Sequence, residues 1–378
     1  MLDEYRKQID DIDTQLAKLL DERLKVSKKI GEEKAKMETV VLDKGREKNV
    51  VNRVTSLVSP EYRLYVKQIY ETIFETSKAY QRQFIHNESA ISAKIKKTIE
   101  EGVKQFPISA TVACQGVEGA YSSIAADRLF ELNTNLYFKT WDAVFDAVEK
   151  GLCDYGVLPI ENSTAGSVNK VYDLMKEHNF YIVRSIKLRI SHNLLAKKGV
   201  SLSDIKEIVS HQQALDQCSD LLSQLGVKIT VCENTAMAAQ MVAKSKRTDI
   251  ACLSSKECAD IYGLNILKSN VQNANANFTR FICISKDLQV FEKSNKISIM
   301  VTLPHEKGSL NKILNKFSTM GLNLTKLESR PMPNTDFEFT FYFDFDGCIE
   351  DDNVLKLLAD LDFGTEQFTF LGGYTEII

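Results

Sequence analysis

Between Leu2 and Lys36, apolar residues recur at Leu2, Tyr5, Ile9, Ile12, Leu16, Leu19, Leu20, Val26 and Ile30, and neither proline nor glycine interrupts the run before Gly31. This spacing lines one stripe of an amphipathic helix. About 34 residues at 1.5 Å each make a rod of roughly 50 Å. After a break around Lys36 to Asp43, a second helix starts near Lys44, and a third follows Pro60 with Leu64, Ile69, Ile73 and Phe74. Two shorter helices cannot cover so long a stripe. Residues 1–90 therefore predict an all-α module completed by another copy of the chain, a homodimer or higher homo-oligomer.

A chain of 378 residues is long enough for two to four domains. A Lys-rich amphipathic connector, 91–107, carries Ile91, Ile95, Ile99 and Val103 and ends at Pro107. Beyond it, short apolar runs (Ile108–Cys114, Tyr155–Pro159, Ile208–Ser210, Lys228–Cys232, Ile250–Leu253) alternate with helical stretches (Trp141–Lys150, Gln212–Leu225, Thr235–Lys244). That predicts an α/β domain over 108–286. A polar stretch, Lys286 to Lys296, then leads to a module at 297–378. There Ile297, Ile299, Val301 and Leu303, and later Phe337, Phe339, Phe341, Phe343 and Phe345, alternate along strands. With helices at Ser309–Met320 and Asp352–Leu361 the order is βαββαβ, an α+β ferredoxin-like fold. The whole is read as multidomain.

The formal charge is −3, from 48 basic and 51 acidic residues, so no positive field gathers nucleic acid or anionic lipid. Met1 to Arg6 holds no apolar secretory core, and no stretch nears the ~18 apolar residues of a membrane span, which predicts a soluble, cytoplasmic protein without membrane contact. The eight cysteines are scattered, and the five histidines lack the two-His helical spacing. Gly-x-Gly-x-x-Gly is absent, which argues against a nicotinamide dehydrogenase. Neither metal nor cofactor is expected.

Several charges sit on or near the helical module's packing faces. Arg23 and Lys34, 11 residues apart, share a helix face at about 16 Å and can converge on one small anion. Arg6 lies about 25 Å before Arg23 and a quarter turn away, too far to join the same small ligand, so if it serves a site at all, that site belongs to a neighbouring chain. Asp43, Arg46 and Glu47 open the second helix; Ser77 and Gln81 stand one turn apart on the third. Singly, each reads best as a solvated charge or a cap. As a set over residues 1 to about 85, they resemble the all-helical chorismate mutases. The resemblance implies that Arg23 and the partner subunit's Arg6 hold the carboxylates of chorismate and that Lys34 and Gln81 address the breaking ether oxygen. Glu47 and the Asp43 backbone would position the ring hydroxyl, with Arg46 and Ser77 in support. A pericyclic rearrangement to prephenate needs no more than such fixed cations and donors.

In the middle module, Gln115-Gly116-Val117-Glu118-Gly119-Ala120-Tyr121-Ser122 follows a strand and opens a helix, a turn that can also cradle an anion. Ile160-Glu161-Asn162-Ser163-Thr164, Ser210-His211-Gln212-Gln213 and Asn277-Phe278-Thr279-Arg280-Phe281 recur at other strand ends. For His211 alone, a helix cap is the plainer reading. Together the blocks, from about 108 to 284, resemble prephenate dehydratase, with Val117 where many members have proline and Asn273 where an acidic residue is common. The family has two α/β lobes around a cleft. The resemblance implies prephenate contacts from Tyr121, Ser122, Glu161, Asn162, Ser163, Thr164, His211, Gln213, Thr279 and Arg280. It gives Thr279 the role of helping hydroxide leave as carbon dioxide departs, although a threonine hydroxyl is a weak acid and the proton's source stays open.

Gly308-Ser309-Leu310 starts a helix and Glu328-Ser329-Arg330-Pro331 ends a strand in the last module. As turn elements they need no function. After a dehydratase they resemble the phenylalanine-sensing ACT module, with Ser309 in place of alanine and Lys307 in place of proline. The resemblance implies an effector site at a subunit interface from Gly308, Ser309, Leu310, Glu328, Ser329 and Arg330.

Overall fold

The computed structural model describes residues 1–37, 44–85, 89–274, 276–332 and 338–378; Asp43 and Phe337 of the expectations lie outside the described residues. The helical module is α1 (Leu2–Met37), α2 (Lys44–Ser56) and α3 (Arg63–Ile85), followed by α4 (Ala90–Glu101), which starts where Ser89 Oγ accepts from Ser92 N.

The first lobe of the middle module runs β1 (Ser109–Gln115), α5 (Tyr121–Leu129), β2 (Leu132–Phe138), α6 (Trp141–Glu149), β3 (Tyr155–Asn162), β4 (Gly166–Ser167), α7 (Asn169–Leu174) and β5 (Tyr181–Arg189). The chain crosses to a second lobe: β6 (Asn193–Ala196), β7 (Glu207–Ser210), α8 (Gln212–Gln217), α9 (Ser219–Leu225), β8 (Lys228–Val231), α10 (Thr235–Lys244), β9 (Ile250–Ser254), α11 (Lys256–Tyr262) and β10 (Asn265–Lys268). It returns as β11 (Phe278–Ser285), between β3 and β5 and antiparallel to both. The two crossings hold each other, Val271 N donating to His192 O and Ile190 N to Asn277 O, each at 2.8 Å. The expected helix Gln212–Leu225 is broken at Cys218, whose backbone leaves the helical region; Asn273 supplies the new start, its Oδ1 accepting from Asp220 N at 3.3 Å. Asn273 therefore serves the α9 terminus.

The tail is β12 (Lys296–Leu303), α12 (Ser309–Thr319), β13 (Leu324–Pro331), β14 (Phe339–Asp346), α13 (Asp352–Gly364) and β15 (Gln367–Ile377), the expected βαββαβ order. It does not stand apart. β15 pairs antiparallel with β12 and parallel with β5, so tail and first lobe share one ten-stranded sheet in the order β13-β14-β12-β15-β5-β11-β3-β1-β2, with β4 on β3. At the crossing, Gly372 has φ +152° and a Cβ there would lie 2.1 Å from Ile182 O, so only glycine lets the strands meet.

Both faces of β12 and β14 are covered, whereas β13 alternates between half-buried and exposed. Ile297, Ile299, Val301, Phe343 and Phe345 pack on α12 and α13. The intervening Tyr342, Leu371 and Tyr374 join the first lobe's core with Leu158, Tyr172 and Ile282. Two segments read as linkers are core. Ile95 of α4 is fully buried in the tail's cluster, and Leu288 and Val290 of the polar stretch pack there too.

Candidate active sites

The helical module packs with its polar stripe inward. Arg23, Ser27, Gly31 and Lys34 fall on one face of α1, and Arg23, Ser27 and Gly31 sit against Ser77 and Gln81 of α3. The Arg23 guanidinium donates to Ser77 Oγ and lies 5.8 Å from the centroid of the Phe74 ring. Burial lowers its pKa without removing its charge. Gln81 Nε2 donates to Ser27 Oγ at 2.9 Å; a Cβ on Gly31 would come to 3.2 Å from Gln81 Cα. Lys34 is half-buried on the same stripe. The apolar stripe faces out: Ile9 is 57% exposed, Ile12 61% and Leu19 61%.

Glu47 of α2 is tied to α3 through Lys78, whose Nζ lies 3.1 Å from Glu47 and 2.7 Å from Glu75. Sequence reasoning missed Lys78; its i,i+3 spacing to Glu75 was the available signal. Arg46 is exposed on α2. Arg6 is exposed near the far end of α1, paired with Asp3 at 3.1 Å, and within one chain it is not brought to Arg23.

In the middle module, Asn162 and Thr279 are directly opposed on the β3–β11 ladder. Asn162 Nδ2 donates to Thr279 Oγ1 at 2.8 Å and to Asn277 Oδ1 at 2.8 Å. Asn162 Oδ1 accepts from the Thr164 hydroxyl (2.7 Å), the Thr164 and Ala165 amides (3.0 and 2.9 Å) and Gln213 Nε2 (3.4 Å). Its amide orientation is thereby fixed. Since Thr279 Oγ1 accepts from Asn162, its own proton is left to point elsewhere. Ser163 Oγ accepts from Phe278 N at 2.9 Å and donates to Ala276 O at 3.2 Å, pinning the strand next to Thr279.

Three further residues complete this network: Gln217 and Asn277, which stand in or beside the motif blocks but were given no role from sequence, and His192, which was not singled out. Gln217 Nε2 donates to Thr164 Oγ1 at 2.8 Å, while its Oε1 accepts from Asn277 Nδ2 and His192 Nε2, each at 2.9 Å. Gln217 follows Gln213 at i+4, which puts both on one face of α8. Burial lowers the His192 pKa, so the ring is neutral, with its proton on Nε2 toward Gln217. Burial also lowers that of His211, which precedes α8 and makes no side-chain cap bond to it.

Glu161 and Arg280 are not brought to this group. They form the next rung of the same ladder and point to the opposite face, because strand side chains alternate. Arg280 is buried, donating to Asp344 and, at 2.7 Å, to Tyr374 Oη, with Nε 2.8 Å from Glu376 Oε1 though off hydrogen-bond angle. Glu161 accepts from Lys326 Nζ at 2.8 Å. Tyr121 is also committed: its hydroxyl donates to Ser191 O at 2.7 Å and clamps the crossing between lobes. Ser122 is buried in the first turn of α5, its carbonyl facing Cys114 Sγ.

The sequence matches the type II chorismate mutase family over residues 5–82 and the prephenate dehydratase family over residues 112–289. A bifunctional chorismate mutase/prephenate dehydratase of Buchnera aphidicola is 33% identical over 380 residues, covering 98% of this chain and 95% of that protein. The chain belongs to the bifunctional chorismate mutase/prephenate dehydratases. Its first module is a chorismate mutase and its middle module a prephenate dehydratase. The Arabidopsis thaliana "Arogenate dehydratase/prephenate dehydratase 2, chloroplastic" is 37% identical over 275 residues, 70% of this chain and 72% of that one. Among solved structures, prephenate dehydratase from Arthrobacter aurescens in complex with L-Phe superposes with a TM-score of 0.65 at 28% identity, covering 70% of this chain and 89% of that one. No helix among the described residues is long and apolar enough to cross a membrane.

In this bifunctional enzyme two residues of the tail's Glu-Ser-Arg run are engaged with the first lobe. Glu328 accepts from Ser167 Oγ of β4, and Arg330 forks onto Asp173 of α7 at 2.9 Å twice. Ser329 points away and is exposed. Gly308, at φ +84°, precedes α12 with Ser309 and Leu310 in its first turn.

Proposed function

We propose that chorismate is rearranged against the polar stripe of α1 and α3, and that the resulting prephenate is dehydrated and decarboxylated to phenylpyruvate at the Asn162–Thr279 pair. In the first reaction the transition state gathers negative charge on the breaking ether oxygen, and Lys34 and Gln81 are the donors toward it, with Arg23 on a carboxylate. The apolar stripe left outside α1 supports a homodimer, in which the partner subunit's Arg6 reaches the second carboxylate. Glu47, Arg46, Ser77 and the Asp43 backbone place the remaining groups.

In the second reaction the leaving hydroxyl needs a hydrogen-bond donor while the ring becomes aromatic. The observation that carries this reading is the direction of the bond between Asn162 and Thr279, which leaves the threonine proton for substrate. Thr164 and Gln213 set the Asn162 amide, Ser163 pins the strand beside the pair, and His211 precedes the helix that carries Gln213.

The tail acts as an ACT module that lowers dehydratase activity when phenylalanine binds, with Gly308, Ser309, Leu310, Glu328, Ser329 and Arg330 as its effector residues. The L-Phe complex of the Arthrobacter relative supports this assignment. Purified protein given chorismate should consume it and release phenylpyruvate, and phenylalanine should slow the second step without competing with prephenate. Chorismate consumption without phenylpyruvate, from a protein that also leaves supplied prephenate intact, would remove the dehydratase half of the reading.

A further inference from the structure

Two adjacent rungs of one ladder face two different modules. The rung Asn162–Thr279 faces the dehydratase network; the rung Glu161–Arg280 faces the tail. We propose that Glu161 and Arg280 are a positioning pair through which the tail sets the geometry of Asn162 and Thr279. This rests on the reading of Thr279 as the donor and of phenylalanine as the effector.

The tail grips this rung at both ends. Lys326 Nζ, on β13, lies 2.8 Å from Glu161 Oε1 and 2.8 Å from Ser167 Oγ. Arg280 is enclosed by Asp344 of β14 and by Tyr374 and Glu376 of β15. Ser298 Oγ ties Tyr374 Oη at 2.7 Å and donates to Asp344; Lys187 and Lys296 balance Glu376 at 2.7 and 3.5 Å. A guanidinium so deeply buried is costly to leave unpaired, so β11 must follow any shift of β14 and β15. Consecutive residues on a strand share a peptide plane, so a shift of Glu161 or Arg280 moves Asn162 or Thr279 directly.

The same grip touches the effector motif. Glu328 lies two residues beyond Lys326 on one face of β13, 3.7 Å from its ammonium, and shares Ser167 with it. A ligand ammonium that draws on Glu328 competes with Ser167 and Lys326 and so alters the hold on Glu161. That supplies the differential contact between two states that any allosteric effect requires.

The test separates binding from response. In full-length Lys326→Met, phenylalanine should still saturate the protein in a calorimetric titration, while the share of prephenate dehydration suppressed at saturating phenylalanine falls about fivefold or more. Lys326→Arg keeps the charge and should restore the response, and chorismate consumption should be unaffected in both. Glu161→Gln breaks the same ion pair from the other end and should show the same split, so it decides the matter if Lys326→Met fails to fold. Unchanged inhibition overturns the proposal, as does a parallel loss of binding and inhibition, which would put Lys326 in the effector site instead. A parental protein that ignores phenylalanine removes the effector reading and this proposal with it.

Discussion

Asn162 and Thr279 face each other across one rung of the β3–β11 ladder, and the bond between them runs from the carboxamide nitrogen to the threonine oxygen at 2.8 Å. Asn162→Asp reverses that direction at little cost in shape. An ionised carboxylate at this position accepts only, so the Thr279 proton turns toward it and away from the leaving group. Dehydration should fall by about 10²–10³-fold at neutral pH, the usual effect of losing one preorganised donor. Activity should recover as pH falls through the carboxyl pKa, because a protonated carboxyl donates again. A pH–rate profile on prephenate checks this; a variant equally impaired at every pH would deny the directional role. Thr279→Val should abolish dehydration at all pH values and leave chorismate turnover intact.

Lys34 stands on the polar stripe with Arg23, Ser27 and Gly31. On the proposed reading, in which Lys34 addresses the breaking ether oxygen, its ammonium is worth more to the transition state than to ground-state chorismate. Lys34→Ala should lower chorismate turnover by about 10²–10³-fold and spare dehydration of supplied prephenate. Separate assays of the two substrates on one preparation decide it.

The outward apolar stripe of α1 predicts that assembly and mutase activity fail together. Each large apolar side chain newly buried contributes about 1.5–3 kcal/mol, so a charge placed among Ile9, Ile12 and Leu16 opposes association strongly. Leu16→Asp should sediment as a monomer and lose mutase activity while keeping dehydratase activity. Mixed dimers of Arg6→Ala and Arg23→Ala subunits should regain activity, since one of the two sites then holds both arginines. Mixed dimers as inactive as either parent would show that Arg6 is a surface charge.

His178 joins α6 to the turn before β5. Its Nδ1 lies 3.1 Å from Glu149 and its Nε2 3.1 Å from Asp142, and the ring stacks on Phe145. Burial works against the charged ring, but the two carboxylates outweigh it and raise its pKa above the ordinary value of about 6.5. A raised folded-state pKa means that stabilisation is complete below the unfolded value and is lost as pH rises through the folded one. Melting temperature should therefore drop between about pH 6 and 8 in the parent and drop less in His178→Gln. Parallel slopes would show that the ion pairs contribute nothing.

Local features were legible and long-range ones were not. The extent of α1 follows from its periodicity, and the βαββαβ order of the tail from its alternation. Ser298 and Asp344 look like solvent-facing positions in that alternation, yet both are buried, because the first lobe covers that face. Nothing local announces the β5–β15 pairing, which joins residues nearly two hundred positions apart. The misplacement of Glu161 and Arg280 was avoidable. Period-2 alternation turns them away from Asn162 and Thr279, but a motif read as a block hides which residues share a face. Lys78, with a neighbour at i+3, was within reach in the same way.

The junction of the two modules depends on Gly372. Its φ of +152° is one that side chains resist, and any Cβ would lie 2.1 Å from the Ile182 carbonyl oxygen, a backbone atom that cannot swing aside. Gly372→Ala must then push β15 off β5. That strips Arg280 of Tyr374 and Glu376 together, and breaking one buried charge pair alone typically costs about 3–5 kcal/mol. The variant should lose stability in its dehydratase–tail unit, seen as an earlier thermal transition, while the helical module keeps its chorismate turnover at temperatures below that transition. Gly199→Ala, also at positive φ but with nothing within 4 Å of its Cβ, is the control and should cost only about 1 kcal/mol. Equal melting of the two variants would mean that backbone strain, rather than the strand junction, sets the loss at Gly372.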